Sequence, residues 1–248
     1  MIIELPHALR FIAQHFAGSR KFFAGKYISE AVKACRFEGV TYPFDTEVMD
    51  GKRLIALAAG AIEAEEIALA TKYLTADDVV VEFGSGLGIA AARVHRAINP
   101  KAHFCFEANP VAVAYSKNLF TLNNMQIDVD QRALGNGLKS QFYAAHDYIL
   151  SSFNVPTDTK YYEKIEVSTV RLAKIVREKK PTAIFCDIEG AESEFLLPRD
   201  LQDVEKVIIE LHPGHYGMQC AQQIKDRFVA NGFRVVEQRQ DTYCFLRP

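Results

Sequence analysis

The chain lacks the paired cysteines of a stapled or zinc-bound scaffold. It has five, Cys35, Cys105, Cys186, Cys220 and Cys244; the number is odd and no two stand at C-x-x-C spacing. That pattern argues against a disulfide framework and fits a reducing, cytoplasmic setting. No apolar run reaches the ~18–20 residues of a membrane-spanning helix. The opening MIIELPHALR lacks the charge–apolar–cleavage order of a signal peptide. Charge of one sign is also missing: the net value over 248 residues is −2, so no general nucleic-acid footprint is expected. The first 36 residues are an exception, with six Lys/Arg against two Asp/Glu, and read as a solvated helical surface.

What is present is a globular composition, 49% hydrophobic and 24% charged, in a chain long enough for a large core. Residues 1–74 read as a helical N-terminal extension: RFIAQHF, ISEAVKAC and GKRLIALAAGAIEAEEIALATKYL space their apolar residues helically, with GVTYPFD as a loop. Residues 75–248 alternate instead. VVVEF (79–83), HFCFE (103–107), 127–133, TAIFCDIEG (182–190) and KVIIELHP (206–213) read as strands. IAAARVHRAI, the segment from Asn109-Pro110, VSTVRLAKIVREKK and QCAQQIKDRFVANGF supply helices, KSQFYAAHDYILSSF is ambiguous, and RVVEQRQDTYCFL forms a closing hairpin. Such alternation predicts an α/β fold: a mainly parallel, Rossmann-like sheet flanked by helices, with a C-terminal antiparallel hairpin.

The chemistry concentrates around the first strand. Gly84, Ser85, Gly86, Leu87 and Gly88 form G-x-G-x-G, and Ile89 stands where a dinucleotide loop keeps its third glycine. Glu82 precedes the loop. A carboxylate there repels a pyrophosphate and attracts an ammonium, such as that of S-adenosylmethionine. Glu107 ends the next strand, 25 residues on, where it accepts bonds from ribose hydroxyls; Ala108 follows it. Read together, these point to S-adenosylmethionine rather than NAD.

With those residues in place the chain resembles the FkbM family of class I S-adenosylmethionine-dependent methyltransferases. The resemblance rests on Gly60–Glu65, Glu82–Gly88, Glu107 with Asn109-Pro110, VSTVRL (167–172), the block Cys186-Asp187-Ile188-Glu189-Gly190-Ala191-Glu192, and Ile209–His212. The Gly-Ser-Gly-Leu-Gly loop and Phe185 depart from the family's usual residues. The resemblance implies a class I methyltransferase fold and O-methylation of a hydroxyl on a sugar or natural-product-like small molecule. It also favours Glu63, near the methionine end, over Glu65, since residues two apart on a helix do not share a face. Adenine contacts are expected from the loop after 127–133, at Arg132, Ala133 and Leu134.

Asp187, at the end of a buried strand, is the first expectation for a base or hydroxyl orienter, with Glu189 second. His212 is a further base because its ordinary pKa lies near neutrality. Glu192 reads as an acid favoured by a helix dipole. Asp187, Glu189, Glu210 and His212 also suit an oxygen-rich cation site, but nothing in their spacing demands a metal and none is expected. Asn/Asp-Pro-Pro-Tyr, the mark of amino-group nucleic-acid methyltransferases, is missing; the Asn-Pro pairs at 99 and 109 flank the second strand. A nucleic-acid enzyme and a non-catalytic cofactor-binding scaffold are the competing readings. For the N-terminal residues a cleft cover and a homodimer surface stay open.

Overall fold

The computed structural model describes residues 2–4, 33–45, 48–49, 51–145, 160 and 162–248. At its centre, seven strands run in the order β12-β13-β11-β10-β4-β5-β6. The core strands are β4 (Val79–Phe83), β5 (Ala102–Phe106), β6 (Ile127–Asp130), β10 (Ala183–Cys186) and β11 (Lys206–Glu210), all parallel. β13 (Thr242–Leu246) runs antiparallel to both β11 and β12 (Arg234–Arg239), so the expected hairpin wedges one reversed strand into the sheet. From β4 the chain steps outward to β5 and β6, then returns to β10 on the other side. That reversal leaves a crevice at the carboxyl ends of β4 and β10, the place where open α/β sheets bind ligands.

The helices close where the sequence punctuates them. α3 (Ile89–Ile98) stops at Asn99, in the left-handed conformation, before Pro100. α4 (Pro110–Leu122) begins with Asn109, whose side chain accepts the Val111 N–H at 2.9 Å, and with Pro at its first position. α5 (Leu172–Lys179) and α8 (Met218–Ala230) cover one face of the sheet over Val81, Ile184, Val207 and Phe245. α2 (Ala64–Tyr73) and α3 cover the other over Val80, Phe185 and Ile208. A side sheet of β7 (Ala133–Leu134), β9 (Tyr162–Val170) and β8 (Lys139–Ala145) stands beside the crevice.

Residues 1–74 depart from the helical expectation. β1 (Ile2–Glu4), β2 (Ala34–Phe37) and β3 (Val40–Pro43) form a three-stranded sheet. The segment read as a loop, GVTYPFD, contains β3; Thr41 is tied to Asn123 by bonds of 2.8 and 2.6 Å, and Pro43 accepts the Tyr115 hydroxyl at 2.9 Å. Tertiary pairing here overrides local pattern. The long helical run is two helices, α1 (Gly51–Ala58) and α2, broken at Gly60 (φ 66°) and Glu63 (φ 51°). RFIAQHF, most of ISEAVKAC and the end of KSQFYAAHDYILSSF lie outside the described residues.

Candidate functional site

A cleft of about 650 Å³ opens at the carboxyl ends of β4, β5, β10 and β11. Its outer walls are the turn 61–66 and the hairpin tip Gln240–Thr242. Gly84, Gly86, Glu107, Ala108, Ala133 and Leu134 line one end; Asp187, Glu189, Glu210 and His212 line the other, and Glu63 lies on the wall between turn and loop.

The three glycines do different work. A Cβ on Gly84 would lie 1.5 Å from the Asp187 carbonyl oxygen, and Gly84 has φ 78°. Its bare backbone therefore lets β4 and β10 close upon each other. A Cβ on Gly88 (φ 73°) would meet Phe120 at 2.6 Å and Ser116 at 2.9 Å, so that glycine seats α3 against α4. Gly86 (φ 50°) faces the cleft. Of the residues of this run expected to serve the ligand, Gly84 and Gly86 line the cleft. Ser85 and Gly88 do not line the cleft, and Ser85 is buried.

Glu107 sits at the base of the crevice. Its Oε2 accepts the Gly86 N–H at 2.8 Å and its Oε1 the Asn109 N–H at 2.7 Å. Burial raises its pKa, with the N–H groups of Asn109 and Gly86 pulling the other way. Each oxygen keeps a lone pair for a further donor. Ala108, Ala133, Leu134 and Phe142 form an apolar slot beside it. Arg132 instead turns to Asp130, donating at 2.7 Å, and does not line the cleft.

Glu82 is placed differently from the expectation. Side chains alternate along β4, and Glu82 shares the face of Val80, beneath α2 and α3. There it pairs with His103 Nε2 at 3.0 Å, buried, outside the cleft. It touches only a void of about 10 Å³, shared with Glu63, Glu66 and Asp187. Glu63, unlike Glu82, lines the cleft. It precedes α2 rather than riding on it, and its Oε2 accepts the Ala90 N–H in the first turn of α3 at 2.7 Å. Burial, then the charge of Glu82, push its pKa up to about 8. Glu65 reaches instead for Gln240, whose side-chain amide donates to it at 2.7 Å.

The acids of the CDIEGAE block converge on His212. Its Nε2 lies 3.4 Å from Asp187 Oδ1, 3.5 Å from Glu189 Oε2 and 3.8 Å from Glu210 Oε2. Its Nδ1 meets Glu192 Oε1 at 2.8 Å. Glu192 opens the short helix α6 (Glu192–Phe195), as the sequence reading expects; it is fully buried and also accepts the Gly190 N–H at 3.2 Å. Burial opposes charge on His212, but the bond to Glu192 and the charges of Asp187, Glu192 and Glu189 prevail and raise its pKa to about 9. Burial, then Glu66, raise Glu210 to about 7. Burial, then Glu189 and Glu210, hold Asp187 well above the usual carboxylate range, and burial raises Glu189. Asp187 keeps about a quarter of its side chain exposed, yet its Oδ1 is covered and accepts no hydrogen bond.

Glu66 and Thr242 were not foreseen. Glu66 is buried on α2 and accepts the Thr242 hydroxyl at 2.9 Å, tying the hairpin tip to the opposite wall; no local pattern marks a pair 176 residues apart. Backbone strain gathers here too. Seven non-glycine residues have positive φ among the described residues, and Glu63, Glu189 and Gln240 all line the cleft. Among the described residues eight carboxyl residues line it, with no lysine or arginine.

Comparison with solved structures finds similar folds at low identity. M. jannaschii TYW2, in complex with AdoMet, is 13% identical with a TM-score of 0.48, covering 87% of this chain and 86% of that one. The ribosomal protein L11 methylase of Lactobacillus delbrueckii subsp. bulgaricus is 11% identical at 0.47, covering 76% and 80%. The precorrin-6y C5,15-methyltransferase of Geobacter metallireducens GS-15 is 9% identical at 0.45, covering 74% and 86%. No curated protein sequence matches significantly. The family description "Methyltransferase FkbM domain" matches residues 78–235, which hold the glycine loop, Glu107 and the whole acid–histidine cluster. The chain therefore belongs to the FkbM-domain methyltransferases.

Proposed function

We propose that the protein transfers a methyl group from S-adenosylmethionine to a hydroxyl of a neutral, sugar- or natural-product-like small molecule. The observation that carries this reading is the content of the cleft at the strand ends: a ribose-competent carboxylate, Glu107, and a converging acid cluster share about 650 Å³, and among the described residues no lysine or arginine lines it. Such a lining disfavours phosphate-bearing acceptors, hence nucleic acids, and tolerates a cationic donor and a neutral acceptor.

The donor set fits the cofactor. Glu107 is free to accept ribose hydroxyls, and Ala133, Leu134 and Phe142 provide an apolar slot for the adenine. Glu63, Glu66 and Asp187 offer carboxyl groups to the ammonium and sulfonium in place of Glu82, and a cationic ligand beside them favours the ionised forms that burial opposes. S-adenosylmethionine supplies a methyl already activated on sulfur. The chain's own residues then have to orient the acceptor and hold its proton. Asp187 and Glu189 face the cleft with raised proton affinities, as a base working near neutral pH requires. His212, anchored by Glu192, keeps their carboxylates in place. Alignment of this kind supplies up to roughly 7–11 kcal/mol in good intramolecular cases.

The test is transfer of labelled methyl to a panel of sugars, polyol natural products, lipids, RNA and protein. Label in the neutral hydroxyl compounds is expected. Label in RNA alone would replace the reading with a nucleic-acid enzyme. Cofactor binding with no transfer to any acceptor would favour the scaffold alternative.

A further inference from the structure

The distances around His212 Nε2 are longer than those of a closed hydrogen-bond network. Glu82 and His103, a buried acid–imidazole pair in the same molecule, sit at 3.0 Å. His212 Nε2, by contrast, faces three carboxylate oxygens at 3.4, 3.5 and 3.8 Å and is hydrogen-bonded to none. Right-angle neighbours stand about 3.3–3.7 Å apart around a calcium-sized cation with bonds of about 2.3–2.6 Å, and only about 2.8–3.0 Å apart around magnesium at about 2.0–2.1 Å. The ligand atoms of Asp187, Glu210 and His212 all fall within 4.8 Å of one another.

Two independent features point the same way. Asp187 Oδ1, the atom turned toward His212, is covered from solvent and accepts no hydrogen bond. On the far side of the ring, fully buried Glu192 takes Nδ1 at 2.8 Å. A carboxylate behind a histidine fixes the tautomer that presents Nε2 as a lone pair, the usual support of a metal-bound imidazole.

We propose that Asp187, Glu210 and His212, with Glu189 at the rim, bind a divalent cation larger than magnesium, of the manganese–calcium class. Three oxygens and one imidazole suit manganese in particular. The site faces the cleft, so its remaining positions point at the acceptor. If the methyltransferase reading holds, on which this role rests, the cation grips two neighbouring oxygens of the acceptor, which selects a vicinal diol or hydroxy-ketone over an isolated alcohol.

The experiment is titration of the full chain with Mn²⁺, free metal being followed by electron paramagnetic resonance, with adenosylhomocysteine affinity measured on the same samples. One site is expected in the wild type. Asp187→Asn and His212→Ala should each weaken it by at least about 30-fold, and Glu192→Gln, which contacts the ring and not the ion, by about 10–100-fold. Glu65→Gln, on the cleft wall away from the cluster, should bind Mn²⁺ as the wild type does. Should His212→Ala fail to fold, the other two variants decide. Wild-type protein that takes up no Mn²⁺ at about 1 mM, or variants that bind it unchanged, would overturn the proposal in favour of a protonated imidazole balancing the acids. Mn²⁺ binding without adenosylhomocysteine binding would leave the cation site standing and remove the methyltransferase reading.

Discussion

Glu63 offers the sharpest link between the buried acids and a measurable quantity. Its folded pKa is about 8, against an ordinary value of 4.5, because burial and the neighbouring Glu82 both disfavour its charge. Between those two values the native state holds a proton that the unfolded chain has released. The native state therefore binds more protons, and stability falls as pH rises. The contribution is complete below about 4.5 and lost by about 8. At about 1.4 kcal/mol per pH step the ceiling is roughly 4–5 kcal/mol, and water entering the cleft reduces it to about 2 kcal/mol. Glu63→Gln keeps an acceptor for the Ala90 N–H and removes the titration. In thermal or urea unfolding from pH 5 to 9, the wild type should lose stability across that range. The variant should lose clearly less, and at pH 9 should be the more stable of the two. Parallel curves for the two proteins would mean that Glu63 is solvated in the native state and that the charge balance of the cleft has been misread.

Further outcomes test the rest of the site. Glu107→Gln sets an amide against the N–H of Gly86 or Asn109, and should weaken adenosylhomocysteine binding by about 1–3 kcal/mol in calorimetry; unchanged affinity would remove Glu107 from the cofactor site. Asp187→Asn should depress turnover while leaving cofactor affinity within a few-fold, and unaltered turnover would clear Asp187 of any part in handling the acceptor proton. Gly84→Ala forces a Cβ into the Asp187 carbonyl and should lower stability by about 3 kcal/mol or more; a loss under about 1 kcal/mol would contradict that contact. Asp78 is buried and accepts from Lys206 at 2.7 Å, the Thr182 hydroxyl at 2.7 Å and the Thr75 N–H at 2.7 Å. These donors outweigh burial and lower its pKa. Its stabilisation is therefore present above the ordinary carboxylate range and lost as pH falls through the lowered value. Asp78→Asn should cost about 1.5–3 kcal/mol at neutral pH.

The parallel sheet was legible because its strands are short apolar runs bounded by glycine, proline or acid, and because α3 ends at Asn99-Pro100. The N-terminal strands were not: VTYP is four residues long, and its pairing partner supplies what its own pattern lacks. The break before α2 was signalled only by Gly60, a single glycine in an alanine-rich stretch that otherwise favours helix, and by a left-handed Glu63 that tertiary contacts hold. In the site, Glu107 and Asp187 could be placed from strand ends alone. Glu82 could not, because a strand buried on both faces does not reveal which face meets the ligand. Glu192 and Glu66 act through partners 20 and 176 residues away, beyond the reach of any spacing rule.

The contact between Gly84 and the Asp187 carbonyl has an engineering consequence. It fuses the glycine loop and the acid segment into one stiff unit, so a change on one side is transmitted to the other. The opposite wall is built differently: Gln240 and Thr242 meet Glu65 and Glu66 through side chains alone. Acceptor preference should therefore be re-tunable at the hairpin tip and the 61–66 turn, while residues 84–88 and 186–190 form the part that a redesign has to leave alone.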